Sequence, residues 1–197
     1  MQVAEPELTS PPPPGPRKWP PLIGLMAVIG FVTFGGFFFS GVPSGSSLSG
    51  EVEVGQPIEV ANDVTIQPAA GWEVTDEVGD PPGVILSGGN GLLLVGVPGG
   101  AGSPEELVDL YVSGYLEPQA SQLSVGGAEP VSVPAGPAAV ASYVGVFEGV
   151  DVPIEGEVFG IIGASGTAVV LDGWAPEGSY AIVRDHVAAM AGTVAIP

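Results

Sequence analysis

The strongest single constraint in this chain is Leu22–Phe39, eighteen residues without a charge. With the flanking Ser40–Val42, a helix rising about 1.5 Å per residue covers a hydrocarbon core of about 30 Å. Gly24, Gly30, Gly35 and Gly36 would weaken such a helix in water. In lipid the backbone has no other hydrogen-bond partner, so helix is the viable spanning form. A cleaved signal peptide, the alternative, would carry a shorter apolar region and a small-residue site of the A-x-A kind. Here the exit reads Ser40-Gly41-Val42-Pro43, and the chain has no cysteine to carry a lipid. The run reads as an anchor that stays.

The basic residues set the orientation. Two of the three, Arg17 and Lys18, stand immediately before the run, which puts the N-terminus in the cytoplasm by the positive-inside rule. Trp19 fits an interfacial anchor. The boundaries that follow are a proline-rich cytoplasmic tail over residues 1–19, a transmembrane helix over 20–42, a Ser/Gly-rich linker over 43–57 and an extracytoplasmic domain over 58–197. The tail, with Pro11–Pro14 and little apolar surface, reads as disordered. The stretch SGVPSGSSLSG (Ser40–Gly50) would hold its ends about 17–20 Å apart, a tether that keeps the domain near the bilayer.

All of the 22 acids except Glu5 and Glu7 lie beyond Gly50, against the single base Arg184, so this part carries nineteen net negative charges. Such a field repels nucleic acid and anionic headgroups and favours a partner with a basic surface. The remaining length, about one domain's worth, supports a single core.

Within it, Val64–Gln67 and Trp72–Val74 read as short strands. Val84–Ser87 and Leu92–Val97 flank Asn90-Gly91, the strongest short hairpin signal. Ser103-Pro104-Glu105-Glu106 is a capping box with proline at the first helical position. It predicts a helix from Pro104 to about Glu117 that buries Leu107, Leu110, Tyr111, Gly114 and Tyr115. Strands are predicted at Ala138–Phe147, Ile154–Ile162 and Thr167–Trp174. In the second of these, Ile154, Gly156, Val158, Gly160 and Ile162 share one face, and Glu155, Glu157, Phe159 and Ile161 the other. The two acids mark its wetter end. A terminal helix buries Tyr180, Val183, Val187 and Met190 and stops near Gly192. The fold class is α+β, an antiparallel sheet packed by helices.

This order resembles the Mog/PsbP-like α/β/α sandwich: a strand into Gly71-Trp72-Glu73-Val74, a hairpin, a helix opened by Ser103-Pro104-Glu105-Glu106, three long strands and a helix around Val187-Ala188-Ala189-Met190. That superfamily includes photosystem-associated extrinsic proteins, a Ran-binding protein and small envelope proteins of high-GC Gram-positive bacteria. The resemblance, over residues 58–197, implies a role in binding and assembly and carries no catalytic motif across.

The chemistry available to this chain is narrow. Its one histidine, His186, lacks the surroundings of a triad, and Gly163-Ala164-Ser165-Gly166 has the wrong spacing for a nucleophile elbow and reads as a turn. Gly96–Gly102 matches no phosphate loop, has no lysine and leads into Glu105 and Glu106. Zinc is implausible with one histidine and no cysteine. The sets Asp76, Glu77, Asp80 and Glu148, Asp151, Glu155, Glu157 offer hard oxygen ligands for weak calcium binding but match no calcium-loop pattern, and read as solvated acids. Trp72 and Trp174 read as packing residues. No residue is assigned a catalytic, cofactor-binding or metal-ligating role. The expectation is a single-pass plasma-membrane protein with a non-catalytic binding or assembly module outside, its partner an envelope protein with a basic surface. The alternative is an enzyme acting on a cell-wall or extracellular substrate through carboxylates such as Glu155 and Glu157. An apolar-walled pocket around those acids would favour the enzyme, and an open sheet face over a filled core would favour the module.

Overall fold

The computed structural model describes residues 55–197. The predicted tail, the predicted spanning helix and most of the linker lie outside the described residues. Among those described, no helix is long and apolar enough to cross a membrane.

The chain enters through a two-stranded antiparallel hairpin, β1 (Ile58–Ala61) and β2 (Val64–Ile66), turned by Asn62 and Asp63 with positive φ. The main sheet has eight antiparallel strands: β3 (Glu73–Gly79), β4 (Pro82–Gly88), β5 (Gly91–Gly96), β6 (Ala120–Val125), β7 (Glu129–Val133), β8 (Gly136–Phe147), β9 (Ile154–Ile162) and β10 (Ala168–Pro176). Their order is β3-β4-β5-β10-β9-β8-β6, and β7 takes the remaining length of the β8 edge. The predicted hairpin is β4–β5, with Gly88 opposite Gly91 and positive φ at both Gly89 and Asn90. That turn matches the right-handed twist of the strands it joins.

Between β5 and β6 the chain crosses one face of the sheet as helix α1 (Pro104–Tyr111), continued by a π-helical turn at Val112–Leu116 and a 3-10 turn at Glu117–Gln119. The capping box forms with one variation. Ser103 accepts from the Glu106 amide at 3.2 Å, but the Glu106 carboxylate reaches past the cap to the Gly102 amide at 2.7 Å. The predicted buried face of this segment needs correction. Leu107 and Tyr111 are buried as expected, but Leu110 is exposed, and Val108, Val112 and Leu116 fill the positions expected of Leu110, Gly114 and Tyr115. The buried stripe Leu107, Val108, Tyr111, Val112 and Leu116 keeps the helical period but is rotated toward Val108, which faces the sheet in place of Leu110.

After β10 the terminal helix α2 (Tyr180–Ala191) lies on the opposite face, burying Tyr180, Val183, Val187 and Met190 as predicted and ending at Gly192. The β1–β2 hairpin packs beside it, joined to the C-terminal segment by paired Thr65–Ala195 backbone bonds. The result is three layers with a core on each side of the sheet. Leu86, Leu93, Val95, Ile161 and Leu171 lie against α2 and the hairpin, whose Ile66 joins them, and Ala139, Val158 and Val170 lie under α1, which contributes Val108. Truncating a fully buried leucine such as Leu171 to alanine would cost about 2–5 kcal/mol.

Candidate functional site

β9 and β10 carry the two buried acids of the described chain, and the pleat sends them to opposite faces. Asp172 points toward α1. It stands in the otherwise apolar run Ala168-Val-Val-Leu-Asp-Gly-Trp174 and is 3% exposed. Tyr143 of β8 donates to Oδ1 at 2.8 Å and Tyr111 of α1 donates to Oδ2 at 3.0 Å. Among the described residues no cation pairs with it. Burial pushes its carboxyl up to about 7, partly offset by the two hydroxyl donors, and burial beside the acid pushes both phenols well above their ordinary value. Gly156 makes this packing possible, because a Cβ there would lie 2.8 Å from the Tyr143 hydroxyl. The triad is sealed from solvent and joins α1 to the sheet.

On the other face, Glu157 forms an ion pair with Arg184 of α2 and accepts from the Tyr180 hydroxyl at 3.4 Å. Hydrogen bonding and the charge of Glu157 raise the Arg184 guanidinium, and burial together with Glu157 raises the Tyr180 phenol. Glu155 accepts from the Tyr180 amide at 2.8 Å and so caps the first turn of α2, where a negative charge is favoured. The sequence placed Glu155 and Glu157 on the correct face but read them as a wet strand end. Glu157 is in fact buried, because α2 folds over β9 and supplies the domain's only arginine.

The other sequence candidates do not converge. Asp76 accepts from the neighbouring Glu77 amide in the β3 edge, and Asp80 accepts from the Tyr115 hydroxyl at the far end of that strand. Glu148 and Asp151 stay in the exposed β8–β9 connection, away from the tethered Glu155 and Glu157. Among the described residues no three acidic or histidine side chains form a metal-ligand set. His186 is exposed on α2 and accepts at Nδ1 from the Trp72 indole at 3.1 Å, tying the helix to the start of β3. Gly163–Gly166 forms the β9–β10 turn, closed by the Gly166 amide on the Gly163 carbonyl. Trp72 and Trp174 are both buried in the packing.

What stands open is a sheet face. Along β8, Ala141, Tyr143 and Gly145 are buried toward α1, whereas Ser142 and Val144 alternate with them and are exposed on the α2 face. Ser124 of β6 lies opposite Val144, and Gln122 opposite Val146. The next strand inward contributes Glu157 opposite Ser142 and Glu155 opposite Val144, so the Glu157–Arg184 pair borders the open face. Val144 is 42% exposed, a large apolar side chain in mid-strand open to solvent. Sequence reasoning missed Asp172 and this face. A lone acid inside an apolar strand was the available signal for the first. The second needed the knowledge that α2 stops short of β8.

No protein-family model and no curated protein matches the chain. Among solved structures it is similar to cyanobacterial PsbP (CyanoP) from Synechocystis sp. PCC 6803, with a TM-score of 0.53 and 15% identity over 78% of this chain and 98% of that one. It is also similar to LpqN, involved in cell envelope biogenesis of Mycobacterium tuberculosis, with a TM-score of 0.47 and 12% identity over 71% of this chain and 88% of that one. The likeness to cyanobacterial PsbP establishes the fold expected from the sequence: an antiparallel sheet between helices, PsbP-like and of the α+β class.

Proposed function

We propose that this is a single-pass plasma-membrane protein, N-terminus inside, whose PsbP-like domain works outside the membrane as a non-catalytic docking module for an envelope protein with a basic surface. The anchor and its orientation rest on the uncharged run and on Arg17-Lys18 before it. The observation that carries the docking role is the open β6–β8 face around Val144, set over a filled core. The carboxylates of the enzyme reading support the same conclusion, since Glu155 caps a helix and Glu157 is tied to Arg184 and Tyr180. The domain's single basic side chain is thereby neutralised internally, which leaves an anionic exterior suited to a cationic partner.

The test is site-specific photo-cross-linking of the full chain in its native membrane. A photoreactive residue at Val144 should yield one dominant protein adduct, and one at Asp63 in the distant β1–β2 turn should not. Equal labelling from both sites, or no protein adduct from Val144, would overturn the reading and return attention to a carboxylate-dependent activity.

A further inference from the structure

A second surface lies across the sheet from the open face. β6 is the last strand in its order, and among the described residues nothing pairs with its outer side. Its sequence, Ala-Ser-Gln-Leu-Ser-Val, contains no charge and no proline. Natural sheets usually blunt such an edge with lysine, proline or a covering element, because its free N–H and C=O groups accept another strand. The opposite edge, β3, is protected in that way by Glu73, Asp76 and Glu77. Beneath β6, between it and the helical segment of α1 and the π turn, runs a groove of about 600 Å³. Its lining is mixed, with Val108 and Val112 on the helical side, Leu123 and Val125 on the strand side, and Asp109, Ser113 and Glu117 among them, the two acids exposed. The only described arginine or lysine, Arg184, is on the other face and engaged with Glu157.

We infer that the outer edge of β6 receives an extended segment of another protein as an added strand, whose groove-facing side chains, every second one, are apolar against Val108, Val112, Leu123 and Val125 and basic against Asp109 and Glu117. Backbone pairing supplies affinity, the groove selects every second side chain, and the acids select charge. The inference is independent of the docking face around Val144, which lies on the other side of the sheet.

The probe is a fluorescent peptide of about eight residues, roughly one strand in length, in which every second position is in turn valine or lysine and the positions between are serine, so that valine and lysine share one face, titrated by anisotropy with the full chain in detergent micelles. Saturable binding is expected, at least about tenfold weaker for the exposed double substitution D109K/E117K and for the same peptide N-methylated at alternate amides. V144K should leave this binding unchanged. Absence of saturable binding would overturn the proposal, as would equal binding of a valine–glutamate peptide. Equal binding of the N-methylated peptide would exclude strand addition, and loss of binding in V144K would move the contact to the other face.

Discussion

Glu157 and Asp172 sit on adjacent strands, similarly buried, and the fold keeps them by opposite means. Glu157 faces the helix that carries the domain's one arginine and pairs with it. Asp172 faces a helix with no base, and two tyrosine hydroxyls donate to it. Two neutral donors do not offset the desolvation of a carboxylate, whereas one ionic partner can, and the raised Asp172 pKa records the deficit. The arginine side is an electrostatic clamp open to salt. The tyrosine side is a dry site in which burial favours the protonated acid and the two hydroxyl donors only partly oppose it.

The largest effect should come from removing the donors. In the double variant Y111F/Y143F the carboxylate would keep its burial and lose both hydrogen bonds, at a cost of about 3–5 kcal/mol at pH 8 by urea unfolding. The cost should shrink at pH 5, where the acid is neutral. An equal loss at both pH values would mean that packing, rather than charge, holds the triad.

Next in size is the pH dependence itself. Below about pH 4 the acid is protonated in both states. Between its unfolded value near 3.8 and its folded value of about 7, the native state holds a proton that the unfolded chain releases. Stability therefore falls as pH rises through this window, by up to about 1.4 kcal/mol per unit, and levels off above it. Wild type should lose about 2–3 kcal/mol relative to D172N between pH 5 and pH 8. A difference that stays flat with pH would erase the contrast between the two acids.

The smallest effect should be on the clamp. R184A leaves Glu157 without its cation, but Arg184 is 61% exposed and water can reach the vacated position, so the loss should be about 1–2 kcal/mol rather than that of a fully buried pair. It should also diminish in high salt when followed by thermal denaturation. A loss as large as that of Y111F/Y143F would show that the two faces are held alike.

Much of this arrangement was legible from local chemistry. Asn90-Gly91, Ser103-Pro104-Glu105-Glu106, the alternation of Ile154–Ile162 and the stripe of α2 each state a backbone preference within a few residues, and each corresponds to an element in the fold. The polar edge strands β6 and β7 were missed because Ala-Ser-Gln-Leu-Ser-Val and Glu-Pro-Val-Ser-Val expose much of their length and show little apolar periodicity. The helical face was misplaced by about one residue, because Leu107 and Tyr111 fit a stripe completed by Leu110 as well as one completed by Val108, and only the position of the sheet separates them.

The sequence by itself determined the anionic character, the α+β order, the faces of β9 and the expectation of an anchor, because charge, turn chemistry and periodicity act over short distances along the chain. Only the tertiary structure decided what the acids do. Whether Glu157 meets an arginine, whether Asp172 meets two tyrosines and whether Val144 is covered depend on which helix crosses which strand. Those contacts join residues as far apart as Tyr111 and Asp172, and no local pattern encodes them.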